Sequence, residues 1–297
     1  MQTIDTHSHL YEPEFDPDRE EAFARAVDAG VGRLLLPAID SGSHRRLFDL
    51  CRRHPDRCFP MMGLHPTSVN DNPRWREELD RVEEYLENPP EGIGRFCAVG
   101  EIGLDFYWSS DFRQEQTEAF RHQCRIAVER GLPIAVHTRN AWPEMLALVE
   151  EFRGTGLRGV FHAFGADVET YEKLRACGDF LFGIGGVVTF KKSPLAAAVP
   201  RMDLGDLLLE TDCPYLTPAP HRGERNESAY LVHICAKVAE LKGIAPEEVA
   251  AATTANAERM FGLWATTGTG VFSWNFSLTL SWLIADCMIW KLPNPRF

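Results

Sequence analysis

Residues 95–139 read RFCAVGEIGLDFYWSSDFRQEQTEAFRHQCRIAVERGLPIAVHTR, and their pattern decides the architecture. Two nearly unbroken apolar runs, 95–105 and 133–139, flank a stretch whose apolar positions Phe120, Cys124, Ala127 and Val128 recur at helical spacing before Gly131. Continuous rather than alternating apolar runs are the mark of parallel strands buried on both faces. Parallel neighbours require a crossover, and 111–131 supplies a helix with Gly131 as its C-cap.

Working outward, the same unit recurs. RLLLPAI (33–39), CFPMMGLHP (58–66), RGVFHAF (158–164), DFLFGIGGVV (179–188) and LLLETD (207–212) are further strand candidates, and the opening run makes eight. Helix-patterned segments lie between them, such as DPDREEAFARAVDAG ending at Gly30. Eight strand–helix units in a chain of 297 residues point to a single α/β domain, a (β/α)8 TIM barrel, rather than an open doubly wound sheet. GIGG at 183–186 lacks the spacing and following helix of a nucleotide fingerprint and reads as strand and turn.

The pattern breaks after Leu263, so we divide the chain into a barrel over 1–263 and a C-terminal extension over 264–297. The extension holds four of the seven tryptophans and alternates apolar and polar residues from Phe272 to Trp282, which is strand-like. Its length from Val271 to Trp290 approaches a membrane span, but the polar alternation and Asp286 count against a lipid-embedded helix.

Formal net charge is −12, from 43 acidic and 31 basic residues, which argues against a broad basic surface for duplex nucleic acid. A polyanionic substrate therefore requires local cations. Eight scattered cysteines with no C-x-x-C pair fit a reducing compartment, and no signal-peptide pattern opens the chain, so a cytoplasmic protein without stable membrane association is expected.

A (β/α)8 barrel builds its chemistry at the carboxyl ends of its strands. If residues 2–9 are extended, Asp5, His7 and His9 share one face. Strand four then offers Glu101, strand five His137, strand six His162, and strand eight Glu210 and Asp212. One strand-end histidine is more often structural than a ligand. Five apolar runs ending in ligand types are not explained that way, because burying so many ionisable groups without a compensating ion is costly. The set exceeds the needs of one tetrahedral ion, so two divalent ions are expected, which together activate water and stabilise both oxygens of a displaced ester. Mixed nitrogen and oxygen ligands admit Mn, Zn, Fe or Co, with Mg where substrate phosphate completes its shell.

The stretches DTHSHL, GLHP, AVGEIGLDFY, PIAVHTRNA, GVFHAF, LLLETDCPYLTPAPHRGERNE and NAERMFGL, in this order across residues 3–263, closely resemble the TatD family of metal-dependent deoxyribonucleases, within the amidohydrolase-like barrels. The resemblance implies a metal-dependent phosphodiesterase that removes nucleotides from DNA, often from the 3′ end of single strands; for such a substrate Mg or Mn are the first metals expected, with Zn, Fe or Co as alternatives. It also implies that His7, His9 and Asp212 hold one ion, that His137 and His162 hold the other, and that Glu101 bridges them. Asp212 resembles the residue that takes a proton from the attacking water, while Glu210 orients a ligand. His65 resembles a substrate-facing residue; Arg139 and Arg222 are candidates to grip phosphate, and Tyr107 or Phe106 to stack on a base. For the arginines the competing expectation is pairing with loop carboxylates, and for the aromatics it is burial. The run HAFGADVETY departs from the family pattern after its histidine, which bears on substrate preference more than on metal binding. The rival functions are a metal-dependent deacylase or amidohydrolase on a small ester or aminoacyl-nucleic acid, and a non-catalytic metal-binding interaction protein.

Overall fold

The structure, a computed structural model, describes residues 2–263. The expectation of a strand-like C-terminal extension over 264–297, not a membrane anchor, lies outside the described residues. Eight parallel strands run in chain order: β1 (Thr3–Asp5), β2 (Val31–Leu36), β3 (Cys58–Pro60), β4 (Val99–Asp105), β5 (Ile134–Arg139), β6 (Arg158–Phe161), β7 (Asp179–Ile184) and β8 (Leu207–Leu209). Continuous ladders join β1 to β3 and β4 to β8. Single parallel bridges close both seams, Met62 with Val99 and Ser8 with Cys213, so the sheet returns on itself as the expected barrel.

Helices α1 (Arg19–Asp28), α2 (Ser41–Arg53), α3 (Trp75–Glu87), α4 (Arg113–Arg130), α5 (Trp142–Glu151), α6 (Val168–Cys177), α7 (Pro194–Ala198) and α8 (Leu231–Lys242) follow the strands in turn, and α9 (Pro246–Phe261) comes last. Gly131 ends α4 at φ 64°, the left-handed conformation that the sequence assigned to it. Among the described residues no helix is long and apolar enough to cross a membrane.

Inside the barrel, one apolar cluster takes Ile4, Leu35, Ala135, Val160, Leu181 and Leu208 from the strands, together with Met61 and Ala98 beside β3 and β4. Met260 and Phe261 of α9 join it from below. Side chains alternate along a strand, so the residues two positions further on also face inward, one layer nearer the mouth. Those positions are His137 after Ala135, His162 after Val160, Gly183 after Leu181 and Glu210 after Leu208. An apolar plug therefore supports a layer of ionisable groups.

Several strands are shorter than their apolar runs. β1 stops at Asp5; Thr6 and His7 bend, and Ser8 rejoins the sheet in its single bridge to Cys213. The expected common face of Asp5, His7 and His9 is therefore not formed. Asp5 turns away to accept hydrogen bonds from Thr211 N (2.9 Å) and Oγ1 (2.6 Å), tying β1 to the end of β8. In the other direction, β4 runs on past Glu101 to Asp105, so Glu101 lies within the strand rather than at its end.

Candidate metal centre

Glu101 is 2% exposed, and its two carboxylate oxygens face different partners. Oε2 lies 3.1 Å from His7 Nε2 and 3.6 Å from His9 Nε2. Oε1 lies 2.7 Å from His162 Nε2, 3.1 Å from His137 Nδ1 and 3.3 Å from His65 Nε2. Asp212 joins the first group, its Oδ1 3.4 Å from His9 and 3.8 Å from His7. Within each group imidazole nitrogens face one another, His7 with His9 at 3.2 Å and His137 with His162 at 3.2 Å. The His7 and His162 rings stack with centroids 3.8 Å apart, holding the two groups side by side.

Such convergence of lone pairs on small gaps fits divalent cations of the kind that accept nitrogen and oxygen donors together. Donor atoms of His7, His9 and Asp212, of His7, Glu101 and His162, and of His65, Glu101 and His137 lie within 4.8 Å of one another in each set. His65, expected only to face substrate, thus stands among the possible ligands.

The electrostatics agree with a donor-rich, water-poor pocket. Burial, reinforced by the charge of His162, pushes His7 below the usual histidine value, and burial does the same to His65. Both favour the neutral, metal-accepting form, whereas neighbouring carboxylates outweigh burial and raise His9, through Asp212 and Glu101, His137, through Asp105 and Glu101, and His162, through Glu101 and Glu210. Burial alone would raise the Glu101 carboxyl, but the combined pull of His162, His65, His7 and the hydrogen bond with His137 holds it well below the carboxylate range. At Asp212 burial is likewise outweighed, here by the hydrogen bond with His9 and by its histidine neighbours, and the carboxyl is lowered.

The far nitrogens of His9 and His137 are tethered in turn. His9 Nδ1 pairs with Tyr11 Oη at 2.9 Å, and that hydroxyl donates to Pro37 O at 2.6 Å. His137 Nε2 pairs with Asp105 Oδ2 at 2.9 Å. Behind His162, Nδ1 faces Glu210 Oε1 at 3.7 Å, and the same oxygen accepts from Ala163 N. Glu210, expected among the catalytic residues, is fully buried behind His162 and absent from the cavity lining. Sequence reasoning missed Tyr11 and Asp105. Asp105 had a signal, because it, not Glu101, ends the fourth apolar run.

A cavity of about 630 Å³ opens above the cluster, lined by His9, His65, Glu101, His137, His162 and Asp212 together with Arg139, Trp108 and Tyr215. Arg139 is exposed, and its guanidinium carbon sits 3.6 Å from the Tyr107 ring centre. Arg222 stacks in the same way on Phe190 at 3.7 Å, outside the lining. Among the described residues both guanidinium groups stack on aromatic rings, and no ion pair of either with a loop acid, the competing expectation, is formed. Tyr107 is half exposed, whereas Phe106 is buried beneath Arg113 and is closed to a base.

Over residues 4–262 the sequence matches the family described as TatD related DNase. YabD of Bacillus subtilis, described as an uncharacterized metal-dependent hydrolase, is 34% identical over 259 residues, covering 87% of this chain and 98% of its own. TatD of Citrobacter rodentium, described as a 3′-5′ ssDNA/RNA exonuclease, is 34% identical over 88% of this chain and 98% of its own. The crystal structure of YjjV, a TatD homologue from Escherichia coli, has a TM-score of 0.79 at 27% identity, covering 88% of this chain and 98% of that one. By the family match along the barrel and by its relatives, the chain belongs to the TatD family of metal-dependent hydrolases.

Proposed function

We propose that the barrel, residues 1–263, is a metal-dependent nuclease that cleaves phosphodiester bonds at single-stranded DNA ends. The observation that carries this is the division of Glu101, one oxygen toward His7 and His9, the other toward His162 and His137. In this reading His7, His9, Asp212 and Glu101 Oε2 hold one divalent ion, and Glu101 Oε1, His137 and His162 hold a second, with Mg or Mn the first candidates and Zn, Fe or Co also compatible. When bound, such ions supply an acidified water and neutralise charge on the phosphodiester.

The chain's own groups do the remainder. Asp212 is 13% exposed at the floor of the cavity, more open than Glu101, so it can accept the proton of the attacking water. Tyr11, Asp105 and Glu210 fix the orientation of His9, His137 and His162. Arg139 grips phosphate at the rim and His65 faces it from the third strand's loop, while Arg222 and Tyr107 support the strand further out. These local cations answer the −12 charge of the chain. The named activity of the Citrobacter rodentium relative supports nucleic acid as substrate. Seven buried cysteines without disulfides among the described residues suit a cytosolic setting.

The test is incubation of the purified chain with end-labelled single-stranded DNA, RNA and a panel of carboxylic esters, each with Mg, Mn or Zn and with chelator. Metal-dependent shortening of the DNA from one end is expected. Ester cleavage without any cleavage of nucleic acid would replace this function with a deacylase.

A further inference from the structure

Among the described residues, four large apolar or aromatic side chains are exposed: Tyr107 (52%), Trp108 (70%), Tyr215 (51%) and Val232. The three aromatics all belong to one place, the mouth above the metal centre. Trp108 and Tyr215 line the cavity directly, and Tyr107 carries the guanidinium of Arg139, which also lines it.

Their positions in the fold set them apart from one another. Trp108 follows β4 and Tyr215 follows β8, which stand four strands apart in a closed ring of eight and so occupy opposite rims. Hydrogen bonds hold the residue before Trp108, and Tyr215 itself, in place. Tyr107 N donates to Asp105 Oδ1 at 2.9 Å, the carboxylate whose other oxygen orients His137. On the far rim, Asn226 Nδ2 donates to Tyr215 O at 2.6 Å, and the Tyr215 ring meets His9 edge to face at 6.2 Å. Trp108 thus follows a residue tied to the carboxylate that orients His137, and Tyr215 lies against the candidate ligand His9; both rings keep an outer face in water, an arrangement that leaves apolar area uncovered until a flat partner arrives.

We propose that Trp108 and Tyr215 are a two-sided nucleobase clamp, each stacking on one of the two unpaired bases that flank the scissile phosphate, with Arg139 contacting the phosphate between them. The proposal rests on the nuclease function above and names its specificity device. Bases splayed to opposite rims cannot remain paired, so the clamp selects single strands or frayed ends. Aromatic platforms serve single-strand recognition because every base offers a π face.

The full-length chain with Mn2+ is assayed on short end-labelled single strands in which one nucleotide at a time is replaced by an abasic residue. Trp108→Ala and Tyr215→Ala should each lower kcat/KM roughly tenfold or more, chiefly through KM. Trp108→Phe should keep most of the activity. In the unsubstituted chain, an abasic residue on one side of the cleaved bond should cost as much as Trp108→Ala, and on the other side as much as Tyr215→Ala. Combining a variant with its matching abasic strand should add no further loss. Losses that are equal on natural and abasic strands, or no loss in either variant, would overturn the clamp while leaving the nuclease standing. Failure of the unsubstituted chain to cleave any nucleic acid would overturn both.

Discussion

At the scale of single residues, the site was readable where a ligand type ends an apolar run, as with His137 and His162. It was unreadable where the partner comes from elsewhere in space. Tyr11 reaches His9 only because the chain bends after β1, which no periodicity announces. Asp105 was obscured by Glu101, which carries the same charge and sits in the same run. Its contact with His137 gives a direct prediction: Asp105→Asn should reduce divalent-ion affinity or turnover by roughly 10- to 100-fold, with an unchanged fold by circular dichroism. Metal titration by calorimetry reads this, and unaltered affinity and turnover would remove the orienting role. A second residue, His44, tests burial far from the centre. It is 5% exposed, its Nε2 is without a partner among the described residues, and burial pushes it down to about 4. The unfolded chain binds that proton near 6.5, so between about 6.5 and 4 the unfolded state holds more protons and stability rises with pH. Stability from a neutral His44 is complete above 6.5 and falls away toward 4, by up to about 3 kcal/mol. Urea unfolding of the unsubstituted chain and His44→Phe at a series of pH values should show a flatter profile in the variant; parallel profiles would contradict the assignment.

At the scale of elements, the apolar runs located all eight strands, because burial on both faces leaves an unbroken signature. Their ends were less legible. The run 58–66 yields only the short β3 (Cys58–Pro60); Met61 and Met62 still donate to Leu36 O and Ala98 O, and the chain then turns through His65 to the mouth. The interior layering places a further demand on β7. A Cβ at Gly183 would lie 2.0 Å from Glu210 Oε2, so glycine there makes room for the carboxylate behind His162. Gly183→Ala should destabilise the barrel by about 1–3 kcal/mol and also weaken metal binding as Glu210 is displaced. Denaturant midpoints and metal content measured on the same preparation check both effects, and a variant with native values for each would show that the layer yields easily.

At the scale of the whole molecule, the centre is a set of ionisable groups on or just after β1, β3, β4, β5, β6 and β8, so any divalent ion bound there would also tie the barrel together. Metal at a hundredfold excess over its dissociation constant should raise Tm on the order of 5 °C or more, reversed by chelator. A Tm indifferent to chelation would detach the cluster from metal. The sequence carried this long-range design well in outline, since ligands two hundred residues apart each end a strand of one barrel. It did not carry the aromatic rims, because Trp108 and Tyr215 are separated by a hundred residues and only the closed strand order sets them opposite each other. The central claim is that the two oxygens of Glu101 serve two ions. Counting bound metal by elemental analysis in the unsubstituted chain and in Glu101→Ala tests it most directly. Two ions per chain are expected, falling to one or none in the variant together with loss of DNA cleavage; a Glu101→Ala protein that keeps both ions and full cleavage would contradict it.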